Sequence, residues 1–268
     1  MSLEELRYDQ VAFKGTHNSI DRDKSIIHQL SATGGVVGRC AALELDLHQH
    51  PDRWDWEVKH GSKDVGVPLR EVLQKIAGWS DRHRKHSVVT IHLDLKNAPK
   101  HHAAFAAKLD GLLLDVVGPQ RIYPPGKVIG GHPDLVRGAR AGGWAKMKDL
   151  RGRLIFCLSG RVARKSAYAR TDPRSRTCFT DFAGSVGPSK RGHSVFANLF
   201  VDAKHYLTHL DGLVQVPGFV TRGYNIVTAR NWQRSMEHGL NILSTDVLQT
   251  PSFSLGTDGR VPLRVLRP

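Results

Sequence analysis

The chain has 268 residues, with 39 Lys+Arg against 25 Asp+Glu, a formal charge of +14 before any histidine protonates. With 40% apolar and 24% charged residues its composition is that of a globular protein, which excludes the disordered and fibrous classes. No apolar run approaches the ~18 residues that a bilayer span needs, and Met1 to Gln10 is polar without a leader-type apolar stretch. The compartment stays open: secreted if a leader precedes this sequence, cytoplasmic otherwise. Cys40, Cys157 and Cys178 are too few and too scattered for a disulfide framework, and each lies in an apolar stretch, so buried free thiols are expected. The positive charge implies an anionic partner: nucleic acid, an anionic membrane surface or a phosphorylated small molecule.

In chain order, β-rich runs fall at Val11–Gly15, Ala41–Leu47, Val88–Leu95, weakly near Arg121–Tyr123, then at Arg153–Leu158, Thr177–Phe182, Phe219–Arg222 and Leu240–Ser244. Between them lie helical patterns over Pro68–Trp79 and Pro99–Val117, both opened by proline, and over Ala203–Leu213 and Ala229–His238. No low-complexity linker interrupts this alternation, which predicts one α/β domain over residues 1–268. Its architecture is expected to be a single (β/α)8 TIM-type barrel with some irregularity. A doubly wound open sheet is the competitor, but no glycine-rich nucleotide-binding turn follows any strand. From His48 to Gly66 the pattern departs and predicts a β-ribbon inserted after the second strand, with Trp54 and Trp56 either anchoring at a lipid interface or packing on the rim.

In such a barrel the C-terminal strand ends converge on one site. The first run ends in Gly15-Thr16-His17-Asn18, the second carries Glu44-Leu45-Asp46, the ribbon supplies His60-Gly61 and the third run ends in Leu93-Asp94-Leu95-Lys96. Glu44 and Asp46, two apart on a strand, point to one face. Burying two carboxylates in so apolar a segment demands a counter-charge. Asn18, Glu44, Asp46 and Asp94 would make an all-oxygen set for a divalent cation, calcium first and magnesium second, and a poor one for zinc. The competing reading pairs Glu44 and Asp46 with Lys96 and nearby arginines. His17 and His60 flank the acidic group and suit proton exchange near neutral pH. Of the 15 histidines, His83, His86, His101 and His102 read as solvated, and His48 and His50 as rim residues.

These segments, with Val58-Lys59-His60-Gly61 and Thr90-Ile91-His92-Leu93-Asp94, resemble in order and spacing the catalytic half of the phosphatidylinositol-specific phospholipase C superfamily, in its compact bacterial calcium-dependent form. His60 lies 43 residues after His17, and Asp94 lies 34 after His60. The resemblance implies a TIM-type barrel, a catalytic calcium ion and phosphodiester cleavage to diacylglycerol and a cyclic inositol phosphate. It casts Glu44 as base on the cation, His60 as general acid and His17 as stabiliser of charge on phosphorus, the two histidine roles being exchangeable. Thr221-Arg222-Gly223-Tyr224-Asn225 resembles the motif in which an arginine and a tyrosine hold the inositol headgroup, and Lys96 joins them as a substrate contact. Thr228 to Asp246 resembles the family's last helix and strand. At Asp94 the family usually carries glutamate. Between Lys100 and Val216 no substrate contact is assigned.

Glycerophosphodiester phosphodiesterases and sphingomyelinase D-like enzymes share the fold and part of the motif, but Asn18 directly after His17 favours the phospholipase C pattern. A catalytically inactive anionic-lipid-binding relative is the alternative of another class. The expected partners are an anionic phospholipid or other phosphodiester and, transiently, a membrane surface, with the protein acting as a monomer. No helix-turn-helix, zinc-finger or RNA-binding signature points to nucleic acid.

Overall fold

The computed structural model describes residues 2–49, 55–61, 65–96, 102–160, 165, 167–168, 172–183 and 193–263. The strands among them are β1 (Val11–Thr16), β2 (Ala42–Gln49), β3 (Trp56–Val58), β4 (Val67–Pro68), β5 (Val89–Leu95), β6 (Leu154–Gly160), β7 (Cys178–Ala183), β8 (Phe196–Phe200), β9 (Val220–Ile226), β10 (Ile242–Thr245) and β11 (Arg260–Pro262). Eight of them, β1-β2-β5-β6-β7-β8-β9-β10, pair in parallel and close back on β1. The closure is thin, since β1 and β2 share the single register pair Gly15↔Ala42. A Cβ on Gly15 would stand 2.9 Å from Ser244 Oγ and 3.1 Å from Ala42 Cβ, so glycine lets the seam close. The remaining three strands extend the barrel: β3 and β4 form the expected ribbon on β2, and β11 runs antiparallel to β1.

Two strand expectations need correction. Arg121–Tyr123 makes one bridge, Ile122↔Leu154, and goes no further because Pro124 and Pro125 follow and cannot donate to a ladder. The barrel's sixth strand is instead β8, whose central Asn198 and short length hid its period-two pattern. The helices fall close to expectation: Leu69–Arg82 with Pro68 at its N-cap, Tyr206–Val214 and Ala229–Glu237. The pattern over Pro99–Val117 becomes His102–Val116, its opening proline lying outside the described residues.

Alternation along each strand separates two environments. Outward residues such as Leu43, Leu45, Ile91, Leu93, Phe156 and Leu158 are buried with Val72, Leu73, Ile76, Leu109 and Leu113 of the helices. Inward residues change character with height. Low in the barrel, Phe13, Phe179 and Phe196 meet Tyr8 and Trp144 with ring centroids 4.9–5.8 Å apart, closing that end with stacked and edge contacts. Higher up, the same inward rows become polar: Ala42 gives way to Glu44 and Asp46, Thr90 to His92 and Asp94, and Val220 to Arg222 and Tyr224. The floor is a packed core and the C-terminal mouth is charged, which is what places a site there.

The three cysteines are free and buried, as expected. His86, expected in solvent, is 4% exposed, bonded through Nε2 to Ser80 Oγ and through Nδ1 to Ser87 O, with its ring against Trp79. Trp56 is 3% exposed and meets Phe105 edge-on at 6.0 Å, so it packs on the barrel and is no interfacial anchor. Trp54 lies outside the described residues.

Candidate metal centre and its surroundings

The turn after β1 presents two site residues at once. Asn18 adopts a left-handed φ of 48°, which asparagine tolerates better than most residues. That conformation aims its backbone N–H at Glu44 Oε2, 3.1 Å away. Behind it, Gln29 accepts from Thr16 Oγ1 and donates to Ser19 O, both at 2.9 Å, while Ser19 Oγ accepts from the Glu44 amide. The turn is therefore tied to β2 by buried polar groups, each of which has a partner.

Glu44, Asp46 and Asp94 each bring a carboxylate oxygen within 4.8 Å of the others. Two cations face them. Arg222, fully buried, donates to Glu44 Oε2 at 2.9 Å, to Asn198 Oδ1 at 3.0 Å and to Ser244 Oγ at 2.9 Å. Lys96 Nζ stands 2.5 Å from Asp94 Oδ2 and 3.3 Å from Asp46 Oδ1. The ion-pair arrangement weighed from sequence is thus partly realised, but it does not complete the cluster. Asn18 Oδ1 and Asp94 Oδ1 are buried without a hydrogen-bond partner among the described residues, and Asp46 Oδ1 is met only by the Lys96 ammonium at 3.3 Å. An orphaned buried oxygen is costly, and these three belong to the four residues expected to hold a cation. Their all-oxygen chemistry fits a hard divalent ion.

Protonation behaviour agrees. Burial, then repulsion from Glu44 and Asp94, pushes the Asp46 carboxyl up to about 6 although Lys96 opposes it. For Glu44, burial works in the same sense, yet Arg222, His17 and the Asn18 amide outweigh it and hold the group below its ordinary value. His92, inward beneath Asp94, is kept neutral by burial and by Arg222. A cation must displace the Asp46 proton, so calcium affinity is expected to rise about tenfold per pH unit up to pH ~6 and then level off. Calorimetric titrations between pH 5 and 7.5 check this, and a flat profile would contradict it.

His17 Nδ1 is 3.0 Å from Asp246 Oδ1, and Nε2 is 3.8 Å from Glu44 Oε2. Burial tends to raise the Asp246 pKa, but His17 and Arg22 more than offset it, so Asp246 is ionised and accepts the Nδ1 proton. Nε2 is left facing the acidic cluster. His60 approaches from the ribbon, its Nδ1 3.2 Å from Asp46 Oδ2 and 3.5 Å from Asp21 Oδ2, with about half of the side chain exposed. Tyr224 lies over His17 at 5.6 Å between centroids and beneath the Arg222 guanidinium at 5.5 Å.

Several contributors were invisible as motifs. Asp246 is hydrogen-bonded to His17, and Arg22 donates to the Asn18 carbonyl while pairing with Asp246. Gly160, at φ +82°, abuts the cluster: a Cβ there would stand 2.2 Å from Asp94 Oδ1 and 2.6 Å from Leu95 O. Gly160→Ala is expected to displace the Asp94 carboxylate and weaken calcium binding about 10- to 100-fold, the range seen when a ligand loses its support. Unchanged affinity in a folded variant would refute that role.

Fold and site together are those of a closed parallel barrel with a candidate metal-binding acidic cluster at its C-terminal mouth. The sequence model of the family "Phosphoinositide phospholipase C, Ca2+-dependent" matches residues 61–190, mostly the stretch in which motif reading found no contacts. No curated protein matches the sequence. Among solved structures, the calcium-dependent phosphoinositol-specific phospholipase C of the Gram-negative bacterium Pseudomonas sp. aligns with TM-score 0.76 and 17% identity over 97% of this chain and 96% of that one. The calcium-dependent phosphatidylinositol-specific enzyme of Streptomyces antibioticus aligns with TM-score 0.77 and 19% identity over 96% and 98%. A glycerophosphodiester phosphodiesterase from Parabacteroides distasonis gives 0.53 and 12% over 89% and 94%. At these identities the structures show a shared fold. With the family match, the resemblance to the calcium-dependent phosphoinositide phospholipase C superfamily stands, and the chain is an enzyme of the phosphoric diester hydrolase class.

Proposed function

We propose that the protein cleaves the phosphodiester of a phosphatidylinositol-type lipid with a divalent cation, calcium rather than magnesium, held by Asn18, Glu44, Asp46 and Asp94. The observation that carries this reading is the acidic cluster, with Asn18 Oδ1 and Asp94 Oδ1 lacking a partner among the described residues and Asp46 Oδ1 met only by Lys96. When bound, the cation supplies neutralisation of phosphate charge and acidification of the attacking hydroxyl. The protein's own groups do the rest. Glu44 is a poor base, because Arg222 and Asn18 already occupy Oε2 and hold it ionised. His17 Nε2, oriented by Asp246 at the other nitrogen, is better placed to take the hydroxyl proton. His60, beside Asp46, is then the group that protonates the leaving oxygen. Lys96 and Tyr224 border the place of the headgroup, whereas Arg222 supports it from below through Glu44.

A glycerophosphodiester substrate is the second reading. It is favoured by the fact that carboxylates, rather than paired imidazoles, are gathered within one ion's reach, while His60 is tied to Asp46 and Asp21. In that reading Glu44, Asp46 and Asp94 would hold the cation that neutralises the phosphate, and a carboxylate rather than an imidazole would take the nucleophile's proton and return it to the leaving oxygen. Turnover of phosphatidylinositol and of glycerophosphodiesters, with and without EGTA, separates the readings. Loss on chelation with cyclic inositol phosphate as product supports the first, and free glycerol phosphate supports the second. Turnover that survives chelation refutes both, and no turnover at all returns the chain to a lipid-binding role. Under the first reading His17→Ala and His60→Ala each lower kcat by about 10²–10⁴-fold with the fold intact. Substantial residual activity in either would discredit the two-imidazole scheme and leave the carboxylates in charge.

A further inference from the structure

On the outer side of β8 and β9, the turn leaving β8 and the helices Tyr206–Val214 and Ala229–Glu237 frame a cleft of about 330 Å³ that the proposed chemistry does not use. It stands at the mouth end of the barrel. Val201, in its wall, donates its amide to Tyr224 O at 3.3 Å, and the neighbouring Phe200 ring lies 5.5 Å from that of Tyr224. The buried Tyr206 hydroxyl, 2.8 Å from Ser235 Oγ, fixes the two helices side by side, so the cleft is part of the fold. Two exposed cations line it, Lys204 from the turn and Arg234 from the second helix, and neither has an acidic partner among the described residues. The first helix opens onto the same space with unsatisfied donors. Its N-cap is His205, which makes no side-chain cap, where Ser, Thr, Asp or Asn would ordinarily accept from the first turn. The nearest acid in sequence, Asp202, does not line the cleft and accepts instead from the side-chain amides of Asn225 at 2.8 Å and Asn231 at 3.4 Å. Tyr206 N reaches Ala203 O and His209 N reaches His205 O, both at 3.0 Å, and the Leu207 and Thr208 amides between them have no acceptor among the described residues.

We propose that this cleft is an anion site for a phosphate group carried on an alcohol, with Lys204 and Arg234 pairing its charge and the Leu207 and Thr208 amides donating to its oxygens. A helix end alone binds anions weakly. Here cations from two separate elements and a pair of open amides converge on one hollow. Size and charge select the ligand class. The cleft lies at the lower end of the range for small-molecule sites, about 300–1,000 Å³, and admits a phosphate together with the alcohol that bears it. Its two unpaired cations offset the charge of a phosphate ester, about −2 at most. Such a group has two sources: the headgroup of an anionic phospholipid in a leaflet facing the mouth, and a soluble phosphate ester. The site acts apart from cleavage, holding phosphate whether or not the acidic cluster turns over a lipid.

The test uses the protein in EGTA, where the acidic cluster without a cation repels phosphate. Titration with glycerol 3-phosphate, followed by amide NMR, is expected to shift the Leu207 and Thr208 resonances saturably, and glycerol to leave them in place. The double variant Lys204→Gln/Arg234→Gln should weaken that binding by at least about tenfold. The control Arg84→Gln/Lys85→Gln removes two exposed cations from the opposite end of the barrel, ahead of β5, and should stay within about twofold because charges so distant are screened. No saturable shift at the two amides overturns the proposal. Equal weakening in both variants also overturns it, since the response is then to net charge alone. Should the first variant fail to fold, the wild-type titration carries the test by itself. Vesicles identify the source. On bilayers of phosphatidylcholine and phosphatidylglycerol, which offer no inositol lipid, loss of two cations facing the leaflet lowers partitioning by about 30-fold. Such a loss confined to Lys204→Gln/Arg234→Gln assigns the site to lipid phosphate. Equal partitioning of both variants, with the wild-type glycerol 3-phosphate shift present, assigns it to a soluble ester.

Discussion

Asp46→Asn is expected to lower turnover by orders of magnitude and, in the same molecule, to make the metal-free fold more stable. The two effects have one cause. Without a cation, burial and the charges of Glu44 and Asp94 raise the Asp46 carboxyl to about 6, from 3.8 in the unfolded chain. A carboxyl raised on folding favours the folded state while protonated, and that contribution is lost as pH climbs from about 4 through about 6. At neutral pH its charge therefore costs the metal-free protein up to about 3 kcal/mol. Asparagine removes the charge at nearly constant volume. It also removes an anionic ligand, and the loss of several kcal/mol of charge stabilisation lowers kcat/KM on the order of 10³-fold. Thermal melts in EGTA at pH 7 and kinetics in calcium measure the two sides. A variant less stable than wild type in EGTA would show that Lys96 fully compensates Asp46, and the tension ascribed to the cluster would be absent.

Arg222→Met should produce the largest loss of stability. Arg222 is fully buried and each of its three guanidinium nitrogens is bonded, one of them to Glu44. Removing it strands a buried carboxylate, a change that costs about 3–5 kcal/mol. For a chain of this size the melting temperature should fall by about 10 °C. Because a cation replaces part of the lost counter-charge, saturating calcium should stabilise the variant more than the wild type. The double variant Glu44→Gln/Arg222→Met should be less destabilised than Arg222→Met alone, since it leaves no unpaired charge. A melting temperature unchanged by Arg222→Met would mean that the guanidinium faces the headgroup, as the Thr221–Asn225 motif suggests, instead of bracing Glu44.

The barrel was legible because parallel strands buried on both faces read as apolar runs, and because helices of ordinary length fall between them. Glu44 and Asp46 stood out for the same reason: acids in an apolar strand need an explanation, and the barrel supplies a common end for Asn18 and Asp94 to meet them. What failed did so locally. Phe196–Phe200 is a short strand with Asn198 at its centre, and its role comes from neighbours β7 and β9 rather than from its own pattern. Arg121–Tyr123 has strand-like residues but its ladder is cut off by two prolines. Trp56 could be read equally as an interfacial anchor or as packing on the rim, because a sequence does not reveal that Phe105 waits beneath it.

Within the site, residues that would touch a cation were visible, and those that hold other residues in place were not. Asp246 is one acid near the end of the last strand until its bond to His17 is seen. Gly160 looks like any turn glycine until Asp94 Oδ1 is found against it. Arg222 was legible as important, and its direction was not: a motif records that an arginine is present, whereas only packing shows that Ser244 and Asn198 turn it towards Glu44.

The central claim is that side chains from three separate strand ends enclose one hard cation. The most direct measurement is the anomalous-scattering map of a crystal soaked in calcium. One peak is predicted, at about 2.3–2.6 Å from Asn18 Oδ1 and from oxygens of Glu44, Asp46 and Asp94, with the Lys96 ammonium moved off Asp46. A map in which that ammonium stays between Asp46 and Asp94 and no ion lies among the four residues would contradict the account.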